Sequence, residues 1–115
     1  MKYRWHVYLA DLEPVIGSEV GKTRPVLVIS EEEVNEVIAT VNIIPITSRK
    51  PSRTVYPNEV LLQKGVAGLL SESLALVHQV RTLDKRRLTK HIGSITDIAL
   101  QQEIIEALVF QLGIR

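Results

Sequence analysis

Short apolar stretches, some alternating with polar residues and some continuous, are separated by polar loops along most of the 115-residue chain, and a long helical spacing appears only after residue 95. Residues 5–10 read as a first strand, with Trp5, Val7 and Leu9 on one face and His6, Tyr8 and Ala10 on the other. Residues 26–30 are a second. Their run Val26-Leu27-Val28-Ile29 is apolar and largely β-branched, and Pro25, which lacks a donor, suits the first position of a strand. Residues 40–47 are a third strand, apolar enough to be buried on both faces, with Pro45 suggesting an edge or a bulge. A short strand follows at 59–63. A long one at 73–83 puts Leu74, Leu76, His78 and Val80 on one face and Ala75, Val77, Gln79 and Arg81 on the other. A last short strand is expected at 90–95. Between strands, residues 31–37 suit a helical turn capped by Ser30, with Glu33 in the capping-box position. Gly65 and Gly68 mark a turn, and 84–88 a tight charged turn. At the end, Thr96 caps a helix whose stripe is Ile98, Ile105, Leu108, Val109 and Leu112, stopped by Gly113. Five to seven short strands and one terminal helix predict an α+β chain, mostly β: a small antiparallel barrel carrying a C-terminal helix.

Composition narrows the classes. The length suits one domain, 1–115, with a modest core. There are no cysteines, so disulfides and thiolate metal sites are excluded, and His6, His78 and His91 show no ligand spacing. No run is long enough to span a membrane and no signal peptide is visible, so a cytoplasmic protein is the default expectation. Net charge is only +1. The cations are unevenly spread, however: Arg81, Lys85, Arg86, Arg87 and Lys90 crowd together with Asp84 alone among them. Such a cluster is either a set of phosphate contacts or a solvated basic turn.

Candidate chemistry lies in the connections. The loop at 11–23 is long for a small domain, and it delivers Arg24 to the lip of the second strand, with Glu19, Lys22 and Thr23 close by. A second long loop, 48–58, holds Arg49, Lys50, Arg53 and Tyr56. Three polar elements therefore invite comparison: Glu19 to Pro25, Pro45-Ile46-Thr47-Ser48, and His78-Gln79-Val80-Arg81-Thr82-Leu83-Asp84. An Arg, a hydroxyl and an acid–base residue in one groove suit work on a phosphodiester.

In this order, Gly17-Ser18-Glu19, Thr23-Arg24-Pro25, Pro45-Ile46-Thr47-Ser48 and Gln79-Val80-Arg81-Thr82-Leu83-Asp84 resemble the MazF/PemK toxins of toxin–antitoxin systems. Val7-Tyr8-Leu9 with Asp11, Asn35, Arg87-Leu88 and Ile92-Gly93 extend the resemblance over nearly the whole chain. It implies an SH3-like barrel that forms a homodimer, and a metal-independent endoribonuclease that needs no cofactor and cuts single-stranded RNA at particular sequences. It implies a cognate antitoxin that blocks the RNA groove. It also implies that Arg24 and Thr47 are the catalytic pair, with Glu19 in support. Relatives carry Asp just before the Gln of the Q-x-R-T block, where this chain has His78, and some have His where Ser18 stands. The base is thus open between Glu19 and His78.

Residue chemistry agrees with these roles. RNA cleavage can use the 2′-hydroxyl of the substrate as nucleophile, so the protein must take that proton, steady the added charge and let the 5′-oxygen leave. Arg24 offers an always-charged fork to phosphate oxygens, and Thr47 offers a hydroxyl. His78 either titrates near neutrality as a base or is a core histidine, given its apolar face. A track for the RNA needs positive charge and stacking surface. Ser18, Lys22, Ser48, Arg49, Lys50, Arg53 and Tyr56 are its candidates, continued by Gln79, Arg81, Lys85 and Arg86. The alternative function on the same fold is a CcdB-like gyrase poison without nuclease activity.

Overall fold

A computed structural model describes residues 2–115. Its centre is the nine-residue strand β3 (Thr40–Ser48). On one side β3 pairs with β2 (Thr23–Val28), which pairs with β1 (His6–Asp11), which pairs with β7 (Leu88–Ser94). On the other side it changes partner. Residues 40–43 pair with β6 (Arg81–Asp84), and 46–48 pair with β5 (Ser73–Leu76), which pairs with β4 (Glu59–Leu62). All six of these pairings are antiparallel.

The period-two pattern fills both faces of the curved sheet. Leu27, Ile44 and Ile46 point into one core with Trp5, Val7 and Val77, and the helix α2 (Ile98–Leu112) closes it with Ile104 and Ala107. Val26, Val28, Val41 and Ile43 point the other way and join Ala10, Leu12 and Leu83. The expected mostly antiparallel α+β chain with a terminal helix is what forms. Its sheet stays open between β4 and β7, so it is a barrel only loosely.

Several local expectations are corrected. The long strand at 73–83 is broken by a 3-10 turn at Val77–Gln79. Without that break, one straight strand could not serve both halves of β3. Pro45 sits at the change of partner, between the stretches paired with β6 and β5, and not at a sheet edge. The turn also cancels the face assignment beyond Leu76: Val77 is buried and His78 is exposed, so the core-histidine reading fails. Asp97, not Thr96, caps α2, accepting the Ala99 N–H at 2.9 Å. The buried side of α2 is Ile104 and Ala107, flanked by Leu100, Ile105 and Leu108, while Ile98, Val109 and Leu112 are exposed. Ser30 does not cap the short helix α1 (Glu32–Asn35). Its hydroxyl instead bonds buried Asn35 and accepts the Asn42 N–H at 3.0 Å, tying α1 to β3. Gly113 ends α2 as expected, at φ 65°. No helix among the described residues is long and apolar enough to cross a membrane.

Candidate active site

The register of β2 on β3 builds the site. Val26 faces Pro45, and continuing that antiparallel pairing by two residues sets Arg24 against Thr47. Their side chains meet: Nη1 of Arg24 donates to Oγ1 of Thr47 at 3.2 Å. Nε of Arg24 donates to the carbonyl of Gly21 at 2.9 Å, so the loop before β2 fixes the plane of the guanidinium. Arg24 is half-buried. Of its five N–H donors, these bonds use two, and the rest of the fork can meet an anion.

The pair lines a groove of about 530 Å³. Leu9 and Ile46 with Leu69 and Ile92 give it apolar walls. Thr23, Thr47, Ser48 and Ser71 supply hydroxyls, Arg24 and Lys90 supply positive charge, and His91 of β7 borders the space, its ring set against His6 and Tyr8 of β1. None of the lining residues is acidic. The wall formed by the turn at Val66–Gly68 lies very close to β7. A Cβ on Gly93 would fall 2.5 Å from the carbonyl oxygen of Ala67, and one on Gly68 would fall 2.7 Å from that of Ile92. Only glycine allows this approach. Ser48 and Ser71 share a hydrogen bond of 3.1 Å across the rim.

Glu19 and His78 share a different opening, a cleft of about 390 Å³ that also holds Pro45, Gln79 and Arg81. Its polar groups are largely engaged with the loop at 12–22. The Gln79 amide donates to the carbonyl of Ser18 at 3.2 Å and accepts the Val20 N–H at 3.4 Å. Nη1 of Arg81 donates to the carbonyl of Leu12 at 3.2 Å. The Glu19 carboxylate accepts the Ile16 N–H at 2.6 Å. Gln79 and Arg81 thus hold the loop that in turn holds Arg24.

The expected RNA track is divided in the same way. Arg49 grips the carbonyl of Arg53 through Nε at 3.0 Å and Nη2 at 2.7 Å, and pairs with Glu72 at 3.1 Å. Arg53 forks onto Glu59 at 2.8 and 2.7 Å. Glu59 is buried, and its carboxyl is held below the ordinary range by that guanidinium first and by the Tyr56 N–H second, against the effect of burial. Lys50 and Tyr56 remain exposed on this loop, as do Ser18 and Lys22 before β2. Lys85 and Arg86 lie at the far end of β3, where Asp84 faces Thr40, seven residues or roughly 23 Å from Thr47. There Nζ of Lys85 stands 4.9 Å from the Tyr3 ring, and Arg86 pairs with Asp84 at 3.0 Å.

Lys90 was offered only as one of the basic cluster, and His91 and Ser71 were not among the candidates, although all three line the groove. For the two β7 residues the placement is a distant one: β7 reaches the site through its pairing with β1, which joins residues some eighty positions apart.

Residues 3–112 match the family model described as PemK-like, MazF-like toxin of type II toxin–antitoxin system. The chain belongs to this family. It is 38% identical over 114 residues to an endoribonuclease MazF from Staphylococcus saprophyticus subsp. saprophyticus, covering 99% of this chain and 93% of the relative. Among solved structures, MazF (Form-I) from Deinococcus radiodurans superposes with a TM-score of 0.81 at 29% identity, covering 97% of this chain and 96% of that one. A MazE–MazF structure (Form-II) from the same organism gives 0.74 at 28% identity, covering 98% and 96%. The gyrase-poison alternative finds no support among these likenesses. Within the MazF-like frame, the G-x-E and Q-V-R-T segments meet around the cleft, while the R-P and P-I-T-S segments meet at the groove.

Proposed function

We propose that this MazF-like chain is the toxin of a toxin–antitoxin pair and cuts single-stranded RNA at particular sequences, in the groove of Arg24 and Thr47. The observation that carries the proposal is their 3.2 Å contact inside an open groove rich in cations and hydroxyls. A scissile phosphate seated there meets the Arg24 fork, which stabilises charge gathering on the non-bridging oxygens, and the Thr47 hydroxyl, which fixes one of them. The 2′-oxygen bonds to phosphorus, the bond to the 5′-oxygen breaks, and the products carry a 2′,3′-cyclic phosphate and a 5′-hydroxyl. No metal enters this scheme. Ser48 and Lys90 hold neighbouring phosphates, and Lys22, Lys50 and Tyr56 extend the track, with Tyr56 as a stacking surface. Glu19, Gln79 and Arg81 act through the Arg24 loop. Arg49 and Arg53 shape the second loop, and His78 borders the strand's path across the cleft.

The working form is a single-domain protein acting in the cytoplasm as a homodimer, whose second copy covers an open sheet edge and exposed apolar groups such as Phe110. Its antitoxin presents an acidic segment to the groove, so the two dissociate more readily as salt rises. The test is incubation of purified protein with single-stranded RNA in excess EDTA, with end-group mapping. Products with cyclic phosphate ends support the reading, and intact RNA overturns it. A single 2′-deoxy nucleotide at the cut site should block cleavage there.

A further inference from the structure

We infer that Glu13 is a positioning residue for RNA cleavage: its carboxylate fixes the one peptide group that aims the Arg24 guanidinium. The inference rests on the groove being the site of cleavage.

The carbonyl of Gly21 and the N–H of Lys22 belong to the same peptide unit. It is planar and trans, so the two groups point in opposite directions. Arg24 and Glu13 hold its two ends. Nε of Arg24 donates to the Gly21 carbonyl at 2.9 Å, and the Lys22 N–H donates to Oε2 of Glu13 at 2.6 Å. A hydrogen bond to a carboxylate polarises the peptide and strengthens its carbonyl as an acceptor. The carboxylate also lies against Gly21 itself, where an added Cβ would collide with Oε2.

Backbone conformation shows why this peptide needs holding. Lys22 has φ 65°, a left-handed conformation that a lysine seldom takes. Turning the Gly21–Lys22 peptide over would return Lys22 to a negative φ, and a glycine on the other side resists that turn least. The turned peptide would point its carbonyl away from Arg24. The bond from Lys22 to Glu13 would break in the same motion, so the carboxylate weighs against it. The far side of Lys22 is pinned by the β1–β2 ladder, since its carbonyl accepts the Leu12 N–H at 3.0 Å. A regular ladder would return the Lys22 N–H to the Leu12 carbonyl, but that oxygen accepts from Arg81. The Glu13 side chain stands in for it.

Glu13 is itself anchored. Its N–H donates to Oδ1 of Asp11 at 3.0 Å. Its carbonyl and that of Asp11 both accept from Nη1 of Arg87, in the turn that leads into β7. Glu13 does not line the groove, so its effect on a bound phosphate passes through Arg24.

The experiment measures kcat and KM in EDTA on one single-stranded RNA. The variants are Glu13→Ala, Glu13→Gln, Gly21→Ala, Arg24→Lys, Arg24→Ala and the double variant Glu13→Ala, Arg24→Lys. Glu13→Ala should lose about 10- to 100-fold in kcat with little change in KM. Glu13→Gln keeps an oxygen acceptor and should recover most of that loss. Gly21→Ala, whose methyl group competes with the carboxylate for its place, should lose rate in the same way, and it stands in if melting curves show Glu13→Ala unfolded. Arg24→Lys has already lost the tie to Gly21, so adding Glu13→Ala to it should cost nothing further. A wild-type kcat in Glu13→Ala or its stand-in, a Glu13→Gln as slow as the alanine variant, or losses that multiply in the double variant would each overturn the inference, while an inactive Arg24→Ala leaves the groove standing. If Arg24→Ala also cuts normally, the reading of the groove itself falls.

Discussion

Two openings border the β1–β2 connection and the start of β2, and they differ in how their polar groups are employed. In the cleft, Gln79, Arg81 and Glu19 all bond to backbone of the loop at 12–22. In the groove, Gly21 and Thr47 take only two of the five Arg24 donors, and the rest of the fork borders a space shared with Lys90 and several hydroxyl side chains. The first is a clamp and the second is a place for a ligand. A strong residue type in a strong motif does not say which of the two it serves. Hydrogen-bond partners decide it, and strand register decides the partners.

The contrast can be broken by substitution. Arg24→Lys keeps the charge and loses both the fork and the tie to Gly21, so cleavage should drop by about 10². Recovery to near wild-type rate would mean that charge alone suffices. Thr47→Ala removes a hydroxyl that accepts from the Arg24 guanidinium, a bond to a charged group worth about 1.5 kcal/mol, and should cost about tenfold in kcat. Gln79→Ala should act only by loosening the loop. We expect a loss of about three- to tenfold, together with faster amide hydrogen exchange over residues 12–22 and an unchanged pH profile. An altered pH profile would instead move Gln79 into the chemistry.

The gentlest test uses residues far from either opening. The Glu32 carboxylate accepts the backbone N–H groups of Lys2, Tyr3 and Arg4. Burial alone would raise its pKa. The Arg4, Lys2 and Tyr3 N–H groups and the Asn35 amide outweigh it and bring the value down to about 2. The folded value lies below that of the unfolded chain, so this contribution is complete above about pH 4.5. It fades as pH falls toward 2. Glu32→Gln should flatten the melting temperature over that acid window and leave cleavage at neutral pH unchanged.

Much of this was legible in the chain. Alternation placed β1, continuous apolar runs placed β2 and β3 because both of their faces are buried, and Pro25 after Arg24 marked the lip of β2. The Pro45-to-Ser48 block named the partner of Arg24. What escaped depended on contacts distant in sequence. Nothing local to residues 73–83 announces the turn at Val77–Gln79, which exists because β5 and β6 share one neighbour. The burial of Glu59 as the mate of Arg53, the exposure of His78 and the entry of His91 through β7 all follow from pairing. The stripe of α2 was misplaced because only the middle of the helix meets the core.

The claim that the groove, and not the cleft, performs the cleavage is tested most directly by one rate comparison. Arg24→Ala and the double variant Glu19→Ala, His78→Ala are assayed side by side on the same single-stranded RNA in EDTA, each shown to be folded. We expect Arg24→Ala to lose about 10²–10³ and the double variant to lose less than about tenfold. The reverse order, with the double variant inactive and Arg24→Ala near the wild-type rate, would contradict the account.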